Sequence, residues 1–105
     1  MGSRFLAIQR RSINELTVGE CREITGFSLD QLKLLLRHLR VPGQLRDEHA
    51  RRVFSGEESF LHYMAYNRLG ITKLQLSIFY FGGDPRRLTY SIRGFGRYIY
   101  NTFYH

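Results

Sequence analysis

The amino-acid sequence predicts a small all-α domain, and two patterns in the 105-residue chain carry this prediction. Ser28, Ser55 and Thr72 each stand three positions before a glutamate or glutamine, which is the capping-box pattern at the start of a helix. Leucine and aromatic residues then recur at helical spacing after each of these positions. A chain of this length forms one modest core, so we expect one domain of four main helices over residues 28–105. Residues 1–27 are predicted to form an N-terminal arm with a short helix near residues 5–11.

The first main helix is predicted over residues 29–39, beginning at the Ser28 box and ending before Pro42 and Gly43. One face of this helix carries a leucine stripe at Leu29, Leu32, Leu35, Leu36 and Leu39. Such a stripe is typical of a core-facing helix. Docking of a partner is the alternative, because Leu34 lies off the stripe. The segment 41–52 is predicted to be a solvated linker, and contact of its arginines, among them Arg46, with phosphate is the alternative.

Two further helices are predicted after this linker. Ser55 and Glu58 form the second capping box, and the helix that they start ends at Gly70. Its apolar face consists of Phe60, Leu61, Met64, Ala65 and Leu69. Glu57 and Glu58 lie in the first turn of this helix, where the helix dipole favours carboxylates. Neither is therefore a catalytic candidate. The box at Thr72 starts a third helix through Phe81; because that run is rich in β-forming residues, a strand is the alternative.

A sharp turn is predicted between the third helix and the fourth. Gly82 and Gly83 permit a positive φ, which residues with a side chain resist. Asp84 is the expected N-cap of the next helix, and Pro85 suits its first position because proline has no amide proton to donate. The turn is therefore expected to redirect the chain within a few residues.

The fourth helix is predicted over residues 85–104 and is amphipathic. Its apolar stripe consists of Leu88, Ile92, Phe95 and Ile99. The opposite face carries side chains at i, i+4, i+7, i+11 and i+15, namely Arg86, Tyr90, Arg93, Arg97 and Asn101. Gly94 and Gly96 weaken a helix by about 1 kcal/mol each relative to alanine. We therefore expect a bend or break in this part of the helix.

The chain is strongly basic, with 16 Lys and Arg against 9 Asp and Glu and a formal net charge of +7. Lys33 and Lys73 are its only lysines, and arginine matches phosphates and base edges better than lysine does. The sequence after Asp84 has four arginines and no acidic residue, a local charge of +4 without ion-pair partners in the helix. Arg86 and Arg87 also lie at the N-terminus of the fourth helix, where positive side chains are unfavourable because they oppose the helix dipole. The pattern predicts a nucleic-acid partner, with a solvated basic face as the alternative.

The third helix, the turn and the fourth helix together predict a helix-turn-helix unit over residues 72–100. A unit of this kind places its second helix in the major groove of duplex DNA. The side chains expected to meet base edges lie at the start of that helix, at Arg86, Arg87, Tyr90 and Arg93. The side chains expected to contact phosphates are Arg97, Asn101 and Lys73. The sequence therefore predicts a protein that binds double-stranded DNA.

The order of these motifs over residues 53–105 resembles the N-terminal helical region of PIF/Harbinger-type transposases and their domesticated relatives. The resemblance is carried by Ser55-Gly56-Glu57-Glu58, by Phe60 and Leu61, and by Phe81-Gly82-Gly83-Asp84-Pro85-Arg86-Arg87 before an aromatic-rich helix. In that family a DDE endonuclease domain with three metal-binding carboxylates follows this region. Asp30, Asp47 and Asp84 do not match those carboxylates, because they lie at helix starts or in a polar loop.

The resemblance implies a nuclear DNA-binding domain that is not itself an enzyme. Its implied partners are double-stranded DNA and a Myb-like protein or a second copy of the chain, since the family's transposases can share target recognition with a Myb-like protein. One alternative is a protein-interaction module with Leu34 and Tyr98 as contact residues. The other alternative is an inactive transposon remnant.

No other site chemistry is indicated by the sequence. Cys21 is the only cysteine, so a disulfide within the chain is excluded and a reducing intracellular compartment is expected. The histidines lack the spacing of a zinc site, and Glu58 with His62 is predicted to be an ordinary i, i+4 surface pair. There is no phosphate-loop or dinucleotide fingerprint and no apolar run of membrane-spanning length. We therefore expect no metal, cofactor, small-molecule substrate or membrane partner.

Overall fold

The computed structural model describes residues 16–47, 52–82 and 84–104. These residues form five helices and one β-hairpin, which confirms the all-α class. In chain order the elements are α1 (Val18–Thr25), α2 (Leu29–His38), β1 (Gln44–Asp47), β2 (Arg52–Ser55), α3 (Gly56–Leu69), α4 (Lys73–Leu76), which continues as a π-helical turn (Ser77–Phe81), and α5 (Pro85–Phe103). No helix in this part of the chain has both the length and the apolar character needed to cross a membrane.

The predicted helix starts are confirmed by their caps. The Ser28 side chain accepts a hydrogen bond from the Gln31 amide, and the Thr72 side chain accepts one from the Gln75 amide. The Ser55 hydroxyl caps α3 by accepting a bond of 3.2 Å from the amide three residues on. Because each cap satisfies an amide that has no partner inside the helix, three helices begin where the sequence predicts.

Helix α1 lies inside the segment that the sequence predicts to be an N-terminal arm. Thr17 and Glu20 form a complete capping box, and Cys21 and Ile24 are fully buried in the core. This helix packs against α3. Its apolar side is only one turn long and is flanked by charged residues, so the 3.6-residue pattern is weak. Residues 16–25 therefore belong to the domain, and the short helix predicted near residues 5–11 lies outside the described residues.

The prediction of a solvated linker over residues 41–52 is wrong, because this segment contains β1 and the start of β2. The strands pair antiparallel with Leu45 opposite Phe54 and Arg46 opposite Val53. Leu45 and Phe54 are buried, whereas Arg46 and Val53 are exposed. A two-residue alternation of this length is a weak sequence signal. The hairpin is stabilised by packing against α3 and α5, since an isolated two-stranded hairpin is marginal in water.

The segment before the turn is helical, as predicted, and not a strand. After α4 it widens into the π-helical turn, which ends when the Gly82 amide donates to the Ser77 carbonyl. Gly82 has a φ of 71°, the positive value that the sequence predicts for this turn. Phe81 is buried, whereas Ile78 and Phe79 on the outer side are exposed.

The core lies mainly between α3 and α5. The Phe60 and Phe95 rings are 5.7 Å apart between centroids, and the Tyr63 ring lies 5.0 Å from the Phe95 ring in a tilted arrangement. Leu88 and Ile92 extend this contact along the predicted apolar stripe of α5. Helix α5 runs without interruption for 19 residues, so Gly94 and Gly96 do not break the helix. The side of α5 that faces away from the core therefore forms one continuous surface.

Candidate nucleic-acid interface

The start of α5 has the predicted cap. Pro85 occupies the first turn, and the Asp84 carboxylate accepts a hydrogen bond of 2.9 Å from the Arg86 amide. The same carboxylate lies 3.1 Å from the Arg86 guanidinium, and this contact raises the pKa of Arg86. The Arg86 side chain is nevertheless 79% exposed. It remains at the surface, with its charge partly neutralised by the N-cap.

Arg87 is half-buried and contacts a neighbouring helix. Its guanidinium donates to the Glu58 carboxylate of α3 at 2.9 Å and lies 5.4 Å from the centre of the Phe54 ring. Arg86 and Arg87 therefore both have a carboxylate partner, although the sequence of α5 itself contains no acidic residue. Their partners come from the N-cap and from a different helix, which the local sequence of α5 does not reveal. Arg87 connects α5 to α3 and β2.

The rest of the predicted basic face is accessible along α5. Arg93, Arg97 and Asn101 are exposed, and Tyr90 is half-buried. The Arg93 guanidinium lies 5.3 Å from the centre of the Tyr90 ring, close enough for a cation–π contact. At 1.5 Å per residue, the stretch from Arg86 to Asn101 extends about 22 Å along the helix. We call the surface formed by Arg86, Tyr90, Arg93, Arg97 and Asn101 the basic face.

Lys73 makes a different contact. It lies at the start of α4, where its ammonium group is 5.0 Å from the centre of the Tyr66 ring of α3. The side chain is half-buried. Lys73 is thus a cation held against an aromatic ring, and this contact does not involve the basic face.

The hairpin places Arg46, which the sequence suggests only as an alternative phosphate contact in a solvated linker, beside the predicted interface. Strand β1 packs beside α5, and a pocket of about 180 Å³ between them is lined by Arg46, Arg97 and Asn101 together with less polar neighbours. Arg46 is exposed because Leu45, the preceding residue, points into the core. The alternation of Leu45 and Arg46 is a sequence signal for this position, but over two residues it is weak. The basic face therefore continues onto β1.

A buried polar network links α3 to α5, and the prediction of a surface pair between Glu58 and His62 is wrong. His62 is only 3% exposed, and its Nδ1 lies 2.9 Å from the Ser91 hydroxyl. Ser91 donates in turn to the Ser59 hydroxyl at 3.1 Å. The His62 ring meets Phe81 edge-on at 4.5 Å between centroids. The network lies at the interface of the two long helices.

Burial lowers the pKa of His62 to about 4, although Glu58 opposes this effect. The imidazole is therefore neutral at neutral pH. Ser91, His62 and Glu58 are of the residue types found in hydrolase triads, but the Ser91 hydroxyl is fully buried, so the arrangement lacks an exposed nucleophile. The network is a structural one, which satisfies buried polar groups between the helices.

Metal and thiol chemistry find no support in the described parts of the chain. No three His, Cys, Asp or Glu side chains come together there in a group that could hold a metal ion. Cys21 is fully buried, and burial raises the pKa of its thiol, so it is not an activated nucleophile. Its burial is what the sequence predicts for a single small apolar side chain.

Comparison of the chain with protein-family models, with curated proteins and with solved structures finds no match. The resemblance to Harbinger-type transposases therefore depends on the motifs in the sequence alone.

Proposed function

We propose that this domain binds double-stranded DNA through the basic face of α5. The observation that carries the proposal is the division of one long helix into two sides. Leu88 and Phe95 lie in the core, while Arg93 and Arg97 are exposed on the opposite side. Arginine donates up to five hydrogen bonds in a planar fork, which suits phosphate oxygens and the edge of guanine.

The side chains of the basic face have different tasks in this proposal. Arg86 and Tyr90, at the start of α5, face the bases, and Arg93 continues this contact. Arg97 and Asn101 bind backbone phosphates further along the helix. Arg87 supports the interface indirectly, because its ion pair with Glu58 fixes the orientation of α5.

The resemblance to the recognition region of Harbinger-type transposases belongs to the same proposal. On this hypothesis the domain is a nuclear DNA-recognition module without catalytic activity of its own. A Myb-like protein or a second copy of the chain shares recognition of the target.

Fluorescence anisotropy with a labelled duplex, titrated between about 50 and 200 mM salt, tests the proposal. We expect the logarithm of affinity to fall by about 0.9 per phosphate contact for each tenfold rise in salt. The double variant Arg93→Ala/Arg97→Ala is expected to weaken binding and to reduce this slope by about 2. The matched control Arg22→Ala/Lys33→Ala removes the same charge from α1 and α2 and is expected to leave the slope unchanged. Binding that is absent, or equally weakened by both variants, contradicts the proposal.

Arg93 and Arg97 are better test positions than Arg86 and Arg87. Removing Arg87 breaks a partly buried contact with Glu58, so loss of binding could follow from a displaced helix. The exposure of Arg93 and Arg97 allows their charges to be removed without opening the core.

A protein-interaction module is the second candidate, favoured by exposed apolar side chains on the outer side of α4 and the π-helical turn. Leu74, Ile78 and Phe79 are between 48% and 59% exposed. Their spacing puts them on neighbouring turns of one helical segment. Leu34 is also exposed, as this alternative requires, but the Tyr98 hydroxyl donates to the Leu39 carbonyl of the same fold. Tyr98 therefore has a structural role as well, so Leu34 is the better position at which to test this alternative.

Sedimentation at increasing protein concentration separates the two candidates. A docking face predicts association that is insensitive to salt and is lost in Ile78→Ser/Phe79→Ser. A DNA-binding face predicts that this variant retains the duplex affinity of the wild type. Salt-insensitive association without duplex binding would favour the second candidate.

A further inference from the structure

We propose that the pocket between β1 and α5 binds a phosphate group, so that the hairpin is a second point of contact with the nucleic-acid backbone. This inference rests on the proposed function and extends it from one helix to two elements. The pocket has a volume of about 180 Å³. Its polar side chains come from both elements: Arg46 from β1, and Arg97, Asn101 and Thr102 from α5.

The pocket exists because β1 and α5 are in close contact. Gly94 faces the strand, and a Cβ atom built on it would lie 4.0 Å from the Arg46 carbonyl. A large side chain at this position would fill the space between the elements. Leu45 anchors the strand below, since its side chain is buried while that of Arg46 is exposed. The alternation of the strand thus places a guanidinium next to the polar side of α5.

The chemistry of the lining fits a phosphate. A phosphate diester offers oxygen acceptors and a negative charge, and the pocket offers the two guanidinium groups of Arg46 and Arg97, the amide of Asn101 and the hydroxyl of Thr102. None of the described residues that line it is acidic. The volume is below the roughly 300 to 1,000 Å³ of pockets that enclose a whole small molecule. The pocket therefore suits one charged group of a larger ligand.

The position of the pocket agrees with the direction of the basic face. Arg97 and Asn101 belong to that face and also line the pocket. A backbone that follows α5 from Arg93 toward its C-terminal end would reach Arg46 on the neighbouring strand. Each strand of a duplex carries one phosphate about every 3.4 Å along the helix axis, so several phosphates fit within the roughly 22 Å of the basic face.

Duplex-binding titrations with Arg46→Gln test the inference. We expect this variant to bind about tenfold more weakly at physiological salt and to lower the salt slope by about 0.9. Arg22→Gln, a charge-matched change on α1, is expected to change neither quantity. Thr102→Val, which removes only a hydroxyl, is expected to weaken binding less than Arg46→Gln. Circular dichroism melting confirms that each variant folds.

Nuclear magnetic resonance with inorganic phosphate distinguishes a free phosphate from the nucleic-acid backbone. We expect phosphate to shift the backbone amide signals of Arg46, Asn101 and Thr102, and sodium chloride of equal ionic strength to leave them in place. Duplex binding that Arg46→Gln does not weaken overturns the inference and leaves the proposed function standing. Phosphate shifts without duplex binding overturn the proposed function and support a pocket for a free phosphate group. Absence of both overturns both.

Discussion

Glu58 makes contacts in two directions at the interface of α3 and α5. Its carboxylate accepts a hydrogen bond from Arg87 at 2.9 Å and lies 3.9 Å from His62 Nε2. Its amide is capped by Ser55. A residue that sequence analysis assigns to the first turn of a helix is therefore also the anion that holds the next long helix in place.

Arg87→Ala is expected to lower the free energy of unfolding by about 1–2 kcal/mol, because it leaves the Glu58 carboxylate partly buried without its charged donor. Urea denaturation followed by circular dichroism measures this loss. Arg86→Ala is the matched control and is expected to leave stability unchanged, since its ion pair is solvent-exposed. Unchanged stability in Arg87→Ala, with a loss of duplex affinity, would show that Arg87 acts on the ligand and not on the fold.

His62 is expected to make the domain sensitive to acid. Its pKa is about 4 in the folded protein against 6.5 for an ordinary histidine, so the unfolded chain binds a proton that the folded chain does not. Stability is therefore full above pH 6.5 and falls as the pH drops toward 4. We expect a loss of roughly 2 kcal/mol between pH 7 and pH 5, measured by urea denaturation. His62→Gln should lose this dependence; an equal loss in both proteins would contradict the assignment to His62.

The chain that leads into the hairpin makes a very close contact with the start of α3. Gly56, the first residue of α3, donates its amide to the Gly43 carbonyl at 2.9 Å. A Cβ atom built on Gly56 would lie 1.8 Å from the Pro42 carbonyl oxygen. The chain that enters β1 therefore crosses directly over the start of α3. Only a residue without a side chain allows this crossing.

Gly56→Ala is expected to destabilise the domain by roughly 2–3 kcal/mol, because the backbone of the crossing segment must move. Gly96→Ala is the control. Its Cβ atom would lie 3.8 Å from Tyr63, an ordinary contact, and alanine favours a helix over glycine by up to about 1 kcal/mol. We therefore expect opposite shifts in the thermal melting temperature. A shift of the same sign in both variants would be inconsistent with the close contact at Gly56.

At the scale of the whole molecule, one core includes side chains from every described helix. Ile24 of α1, Leu32 of α2 and Leu76 of α4 are all fully buried in the same cluster as the long helices. The segment expected to be an arm thus contributes to the same packed interior. We expect α1 to unfold together with the rest of the domain.

Ile24→Ala is expected to lower the free energy of unfolding by about 3 kcal/mol, because it leaves a cavity in the shared core. Val18→Ala in the same helix is the control; Val18 is exposed, so little change is expected. Far-ultraviolet circular dichroism and tyrosine fluorescence should report one coincident transition in Ile24→Ala. A separate early transition would indicate that α1 is not part of the cooperative unit.

Four of the five described helix starts could be predicted from the sequence because a cap is a contact over two or three residues, whereas the start of α1 at Thr17 was not predicted. The predicted N-caps are the observed ones: Ser28, Ser55, Thr72 and Asp84. The hairpin could not be predicted, since Leu45 and Arg46 in β1, like Val53 and Phe54 in β2, form only a short alternation. Its stability comes from packing against helices distant in sequence. The exposed part of the basic face follows from helical periodicity. The DNA-binding role of that face remains a prediction.

The helical class, the starts of three helices and the capped turn before α5 follow from the sequence alone, because these features depend on neighbours within one helical turn. Which charges remain at the surface depends on how the helices pack. Arg87 forms a hydrogen bond with Glu58, and His62 forms one with Ser91, and each pair is separated by 29 positions of the chain. Contacts over such distances form only when the helices pack, and burial then determines both the protonation of His62 and the arginines available to a ligand.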